Sequence, residues 1–79
     1  MAADALVYLG RAPRLRPPLL PPEVAVLRAV GKGIAASELR ARMGKDWDNG
    51  ALFALLGRRF LTLTAAEAAA PDAWASYLG

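Results

Sequence analysis

The sequence predicts a mainly α fold with a small β component: a three-helix core with one short N-terminal strand, one strand after helix three and a C-terminal helix. Three observations predict it. Between Pro21 and Thr64, three successive segments place apolar residues at helical spacing. Glycine-bearing turns at Gly31-Lys32-Gly33 and from Gly44 onward separate them. Leu61-Thr62-Leu63-Thr64 then alternates apolar and polar residues, as a half-buried strand does. The 79 residues make one domain, near the lower limit for a core held without disulfides or metal. It divides into a strand plus a Pro/Arg-rich arm (1–21), the helical core and its strand (22–64) and a C-terminal helix (65–79).

Ala5 to Leu9 is apolar and β-prone, and it is the natural partner for the Leu61–Thr64 strand. The arm that follows, RAPRLRPPLLPP, is too rich in proline for a helix and is expected to be extended. Leu15, Leu19 and Leu20 would brace it across the domain, or Arg11, Arg14 and Arg16 would make it a basic strap that reaches phosphates or an acidic surface.

Pro22 suits the first turn of helix one, and Glu23 complements its dipole. Val24, Leu27 and Val30, with Val26 beside them, face the core before Gly31 stops the helix, and Ile34 drops back inside. Helix two covers roughly 35–43, with Ala36, Leu39 and Met43 on one face and Gly44 as a left-handed stop. In KDWDNG, either Asp46 or Asp48 caps helix three. That helix runs to about Arg59, with Leu52, Leu55, Leu56 and Phe60 inward and Phe53 at the edge of the stripe. Thr64-Ala65-Ala66-Glu67 has the capping-box pattern, so a helix is expected there, kinked or restarted at Pro71. Trp74, Tyr77 and Leu78 would close the core or dock on a second subunit.

The residue inventory excludes several chemistries. Without cysteine or histidine there is no disulfide, no thiolate or Ser-His catalysis and no histidine- or cysteine-ligated metal. The acids are scattered and form no cation-binding loop. Lys32 between two glycines lacks the strand and the Ser/Thr of a phosphate loop, and Ser37 and Ser76 have no base nearby. No enzyme activity, cofactor, metal or small-molecule substrate is expected. No apolar run reaches the roughly 20 residues of a membrane span, and Asp4 sits where a signal peptide would carry positive charge. The expectation is a soluble, cytoplasmic, bacterial protein. The formal charge is +3, with every Arg and Lys between Arg11 and Arg59 and only Glu67 and Asp72 after Phe60. This basic front half permits DNA or an acidic protein partner. The 56% hydrophobic content, much of it alanine, leaves apolar surface for a partner.

The succession of LPPEVAVLRAV, GIAASELRARMG and DNGALFALLGRRFLTLT resembles the winged helix-turn-helix superfamily, and most closely the small winged-helix tail of PatA-like bacterial regulatory proteins, over about 45 residues. KDWDNG is longer than the usual turn, and no second wing strand follows Thr64. The resemblance implies a non-catalytic regulatory protein that sets its third helix in the major groove of double-stranded DNA. Phosphate contacts would then fall to Arg14, Arg16, Arg40, Arg42, Lys45, Arg58 and Arg59, and a base contact to Asn49. Asp46 and Asp48 at the helix entrance oppose phosphates. The alternative is an adaptor that binds or inhibits a protein with an acidic or apolar surface. Its interface would centre on Trp47 and Phe53, with Trp74 and Tyr77 as candidates for a homodimer contact. A third type, similar to the recognition domains of peptide-modifying enzymes, offers an edge strand to an extended ligand, but here too few strands precede helix one.

Overall fold

The computed structural model describes residues 4–13 and 18–78. Arg14, Leu15 and Arg16, expected in the arm, lie outside the described residues. The elements run β1 (Leu6–Leu9), α1 (Pro21–Val30), β2 (Ile34–Ala35), α2 (Ala36–Met43), α3 (Asn49–Gly57), β3 (Leu61–Thr62) and α4 (Ala75–Leu78). Short 3-10 turns occupy Gly44–Asp46, Ala65–Glu67 and Pro71–Trp74. The three-helix core and the flanking strands expected from sequence are present.

The N-terminal strand is the middle of the sheet. Its order is β2-β1-β3, antiparallel throughout, with Leu6 opposite Ala35, Val7 opposite Ile34, Tyr8 opposite Thr62 and Leu9 opposite Leu61. Alternation therefore puts Val7 and Leu9 of β1, Ile34 of β2 and Leu61 of β3 on one buried face. The helices cover that face with Val26, Leu27 and Val30 of α1, Leu39 of α2 and Leu55 of α3. β2 is an element the sequence did not announce: two residues cannot display a period, and only the burial of Ile34 was foreseen.

Each helix starts and stops for an identifiable reason. The Leu20 N–H, an orphan donor at the start of α1, donates to Glu23 Oε1 at 2.8 Å. Gly31 and Gly44 both take φ 55°, a conformation that L side chains avoid, and so end α1 and α2. Ala35 offers α2 no side-chain cap. Asp4 supplies it from outside, its carboxylate accepting from the Ser37 N–H at 3.3 Å and from the Ser37 hydroxyl. Of the two acids considered for α3, Asp48 is the cap, accepting from the Gly50 N–H at 2.9 Å and the Ala51 N–H at 3.4 Å.

Four expectations are corrected. Val26 rather than Val24 is fully buried in α1, Val24 being half-buried. Leu20 is exposed and braces nothing, while Leu19 does pack on the core. β3 is two residues rather than four. The capping box after Thr64 does not form: Ala65–Glu67 is a single 3-10 turn, and Thr64 makes no side-chain cap. Glu67 instead accepts from the Thr62 hydroxyl at 3.3 Å. Ala68 is extended, which lets the Ala69 N–H reach the Leu9 carbonyl at 2.8 Å, and Ala70 is extended as a residue before proline tends to be. Between Thr64 and Pro71 there is too little chain for helix nucleation to win against that contact.

The C-terminal segment closes the core. Trp74 is fully buried, donates its indole N–H to the Gly10 carbonyl at 2.9 Å and meets Phe60 and Tyr77 edge-to-face at centroid distances of 5.4 and 5.5 Å. The Tyr77 hydroxyl donates to the Pro13 carbonyl, and Arg28 Nε donates to the Leu78 carbonyl at 3.0 Å. No helix of the described residues is long and apolar enough to cross a membrane.

Candidate interaction surfaces

α3 is the element that a helix-turn-helix would present to DNA, and its outer face is apolar and small. Gly50, Phe53, Ala54 and Gly57 are exposed along it, Phe53 at 67%. Asn49, the position that would read a base, is exposed but has its Oδ1 engaged within the chain, accepting from the Trp47 indole N–H at 2.6 Å. Trp47 is half-buried and packs against the core beneath the long turn, so it is only partly available as a docking anchor. Asp48 turns its carboxylate onto the helix N-terminus, where a phosphate would otherwise be drawn.

The cations fall into two groups. Arg58 is engaged: it donates to the Pro18 carbonyl at 3.3 Å, lies 3.7 Å from the buried Glu23 carboxylate and stacks 4.6 Å from the centre of the Phe60 ring. It ties the arm to α1 and to the turn after α3. Arg42 pairs with Glu38 at 3.2 Å along the exposed side of α2, a contact of small energetic weight. Arg40, Lys45 and Arg59 are exposed and form no ion pair among the described residues. Glu23, expected as a dipole partner, is a buried carboxylate satisfied by Leu20 and Arg58, which its place in the sequence did not signal.

Of the four residues considered for a protein interface, Phe53 alone is both large and open. Trp74 is a core residue with no surface to offer, and Tyr77 is half-buried against Trp74 and the arm.

A second surface was not legible in the sequence. Pairing of β1 with β3 brings Gly10 and Arg59 together so closely that a Cβ on Gly10 would stand under 3.0 Å from the Arg59 carbonyl oxygen. The residues adjoining this contact, Arg11 and Arg59, flank a cleft of about 560 Å³ whose apolar lining is Leu56 of α3 with Leu61 and Leu63, and whose far end holds Glu67. Arg59 has a φ of 63°, the single non-glycine residue so placed among the described residues. Among those residues, no cluster of side chains suits a metal ion. No family model, no curated protein and no solved structure matches the chain.

Proposed function

We propose that this chain is a non-catalytic winged-helix-like adaptor, of bacterial cytoplasmic origin by its composition, that docks on a protein through the outer face of α3. The observation that carries this is Phe53, a large apolar side chain left 67% exposed at the centre of a face otherwise made of Gly50, Ala54 and Gly57. An exposed aromatic amid small residues suits the anchor-and-flat-rim arrangement of protein interfaces. That face itself carries no polar side chain, and the neighbouring Asn49 already has its Oδ1 engaged by the Trp47 indole, which opposes the bidentate contact an adenine edge requires.

A second reading, a DNA-binding regulator of the winged helix-turn-helix type, is favoured by one observation: Arg40 and Lys45 are exposed without ion-pair partners among the described residues. Titration of labelled mixed-sequence duplex at 50 mM and 200 mM salt, run beside affinity capture with wild-type and Phe53→Asp protein, separates the two. The expected result is a protein partner retained by wild type and lost by Phe53→Asp, with no salt-dependent duplex binding at micromolar concentration. Duplex binding that falls steeply with salt, is weakened by Arg40→Ala with Lys45→Ala, and is indifferent to Phe53→Asp would overturn the adaptor reading in favour of DNA.

A further inference from the structure

Among the described residues the strand β3 has a neighbour on one side only. The Gly10 N–H donates to the Phe60 carbonyl at 2.7 Å, and Tyr8 stands opposite Thr62, so the Phe60 carbonyl and the Thr62 backbone groups turn toward β1. Alternation turns those of Leu61 outward, and the chain bends away from the strand at Leu63. Among the described residues the Leu63 N–H and carbonyl meet no backbone partner. The opposite side of the sheet is treated differently, since the Leu9 carbonyl there accepts from Ala69. The open edge borders the cleft between α3 and β3. Leu56, Leu61 and Leu63 give that cleft an apolar side, and Arg11 and Arg59 a cationic end. Neither guanidinium has an ion-pair or hydrogen-bond partner among the described residues, whereas Glu67, at the other end, is already bonded by Thr62.

We infer that this cleft binds an extended acidic peptide segment, which adds along the outer edge of β3, rests apolar side chains on Leu56 and Leu63, and places carboxylates on Arg11 and Arg59. Three features converge on that occupant. Unpaired strand-edge groups demand an extended backbone. The apolar side accepts alternate residues of such a strand. Two guanidiniums select carboxylates, which they bind bidentately, and Glu67 restricts the acids to the Arg11–Arg59 end. The site is separate from the Phe53 face and does not depend on it.

The test uses the full isotope-labelled chain and an acetylated octapeptide of alternating Val and Glu, with the Val-Lys counterpart and free glutamate at matched carboxylate concentration as controls. The Glu peptide is expected to give saturable amide shifts at Arg11, Arg59, Leu61 and Leu63, and the Lys peptide none. Arg59→Gly, which suits the φ of 63° and so keeps the fold, is expected to weaken binding roughly threefold to tenfold. Leu63→Pro, which removes an N–H without a backbone partner among the described residues and leaves the β1 pairing untouched, is expected to abolish it. Equal binding of the Lys peptide, undiminished binding by Arg59→Gly, or the same shifts from free glutamate would each overturn the inference. Displacement of the Glu peptide by duplex DNA at lower concentration would make the cleft a phosphate groove and overturn it likewise. Phe53→Asp leaves the cleft intact, so failure here and failure of the α3 reading are told apart.

Discussion

Replacing Trp74 by phenylalanine tests whether the C-terminal segment is part of the core. Trp74 has no exposed surface, and its indole N–H is the partner of the Gly10 carbonyl at 2.9 Å. Phenylalanine keeps an aromatic ring near Phe60 and Tyr77 but cannot donate, so a buried carbonyl is left unpaired, at about 1–3 kcal/mol. The smaller ring also leaves a void, which at roughly 24 cal/mol per Å³ costs on the order of 1 kcal/mol more. The sum, about 2–4 kcal/mol, is a large share of the roughly 4–12 kcal/mol available to a domain of this size. It should lower the midpoint of thermal unfolding by roughly 10–25 °C. Far-ultraviolet circular dichroism with heat and urea, at two protein concentrations a hundredfold apart, measures it. A loss below about 0.5 kcal/mol, the range of surface substitutions, would refute the core role. A midpoint that moves with protein concentration in wild type but not in Trp74→Phe would return Trp74 to the dimer contact considered from sequence.

Two further substitutions probe the supports of the two surfaces. Asp48→Ala removes the acceptor for the Gly50 and Ala51 N–H groups and should cost about 1 kcal/mol by urea denaturation, with Asp48→Asn retaining most of the stability; equal losses in both would mean that charge rather than capping matters. Gly10→Ala forces apart the end of β1 and the Arg59 carbonyl, a displacement of backbone that should destabilise by about 1–3 kcal/mol and shift the Arg11 and Arg59 amide resonances together; an unchanged spectrum would show that the junction yields freely.

The parts of this fold that were legible in sequence are those whose signal is local. The helical spacing of Leu27 and Val30, the glycine stops and the alternation around Leu61 each arise from interactions within a few residues, and the helix and its stops stand where they were expected, with the strand starting at Leu61 but ending two residues early. What escaped depends on contacts between distant segments. The capping-box pattern at Thr64 is a local preference, and the Ala69 bond to Leu9 overrode it. Glu23 has a helix-start signature whether solvated or buried; only the approach of Arg58, far along the chain, sets it inside. Phe53 was visible as an edge residue because helical geometry alone assigns faces. The cleft was not, because Arg11 and Arg59 meet through strand pairing and neither carries any mark of the other.

The position of β1 explains why one edge of the sheet remains open. A winged helix completes its sheet with a hairpin that follows the third helix, and the tip of that hairpin is what projects toward a minor groove. Here the strand between β2 and β3 comes from the N-terminus, so pairing is complete once two residues of β3 have been laid down. The chain after Thr62 is then free to turn back under the sheet, where Ala69 meets Leu9 and Trp74 fills the core. Among the described residues no projecting wing is formed and no strand pairs with the outer side of β3. Exposed edges invite pairing with other chains, and proteins commonly blunt them with charge. Arg59, just before β3, and Arg11, just after β1, line the cleft beside this edge, and they repel basic segments while admitting acidic ones. The same two side chains that guard the edge against promiscuous pairing therefore set the chemistry of the strand it accepts.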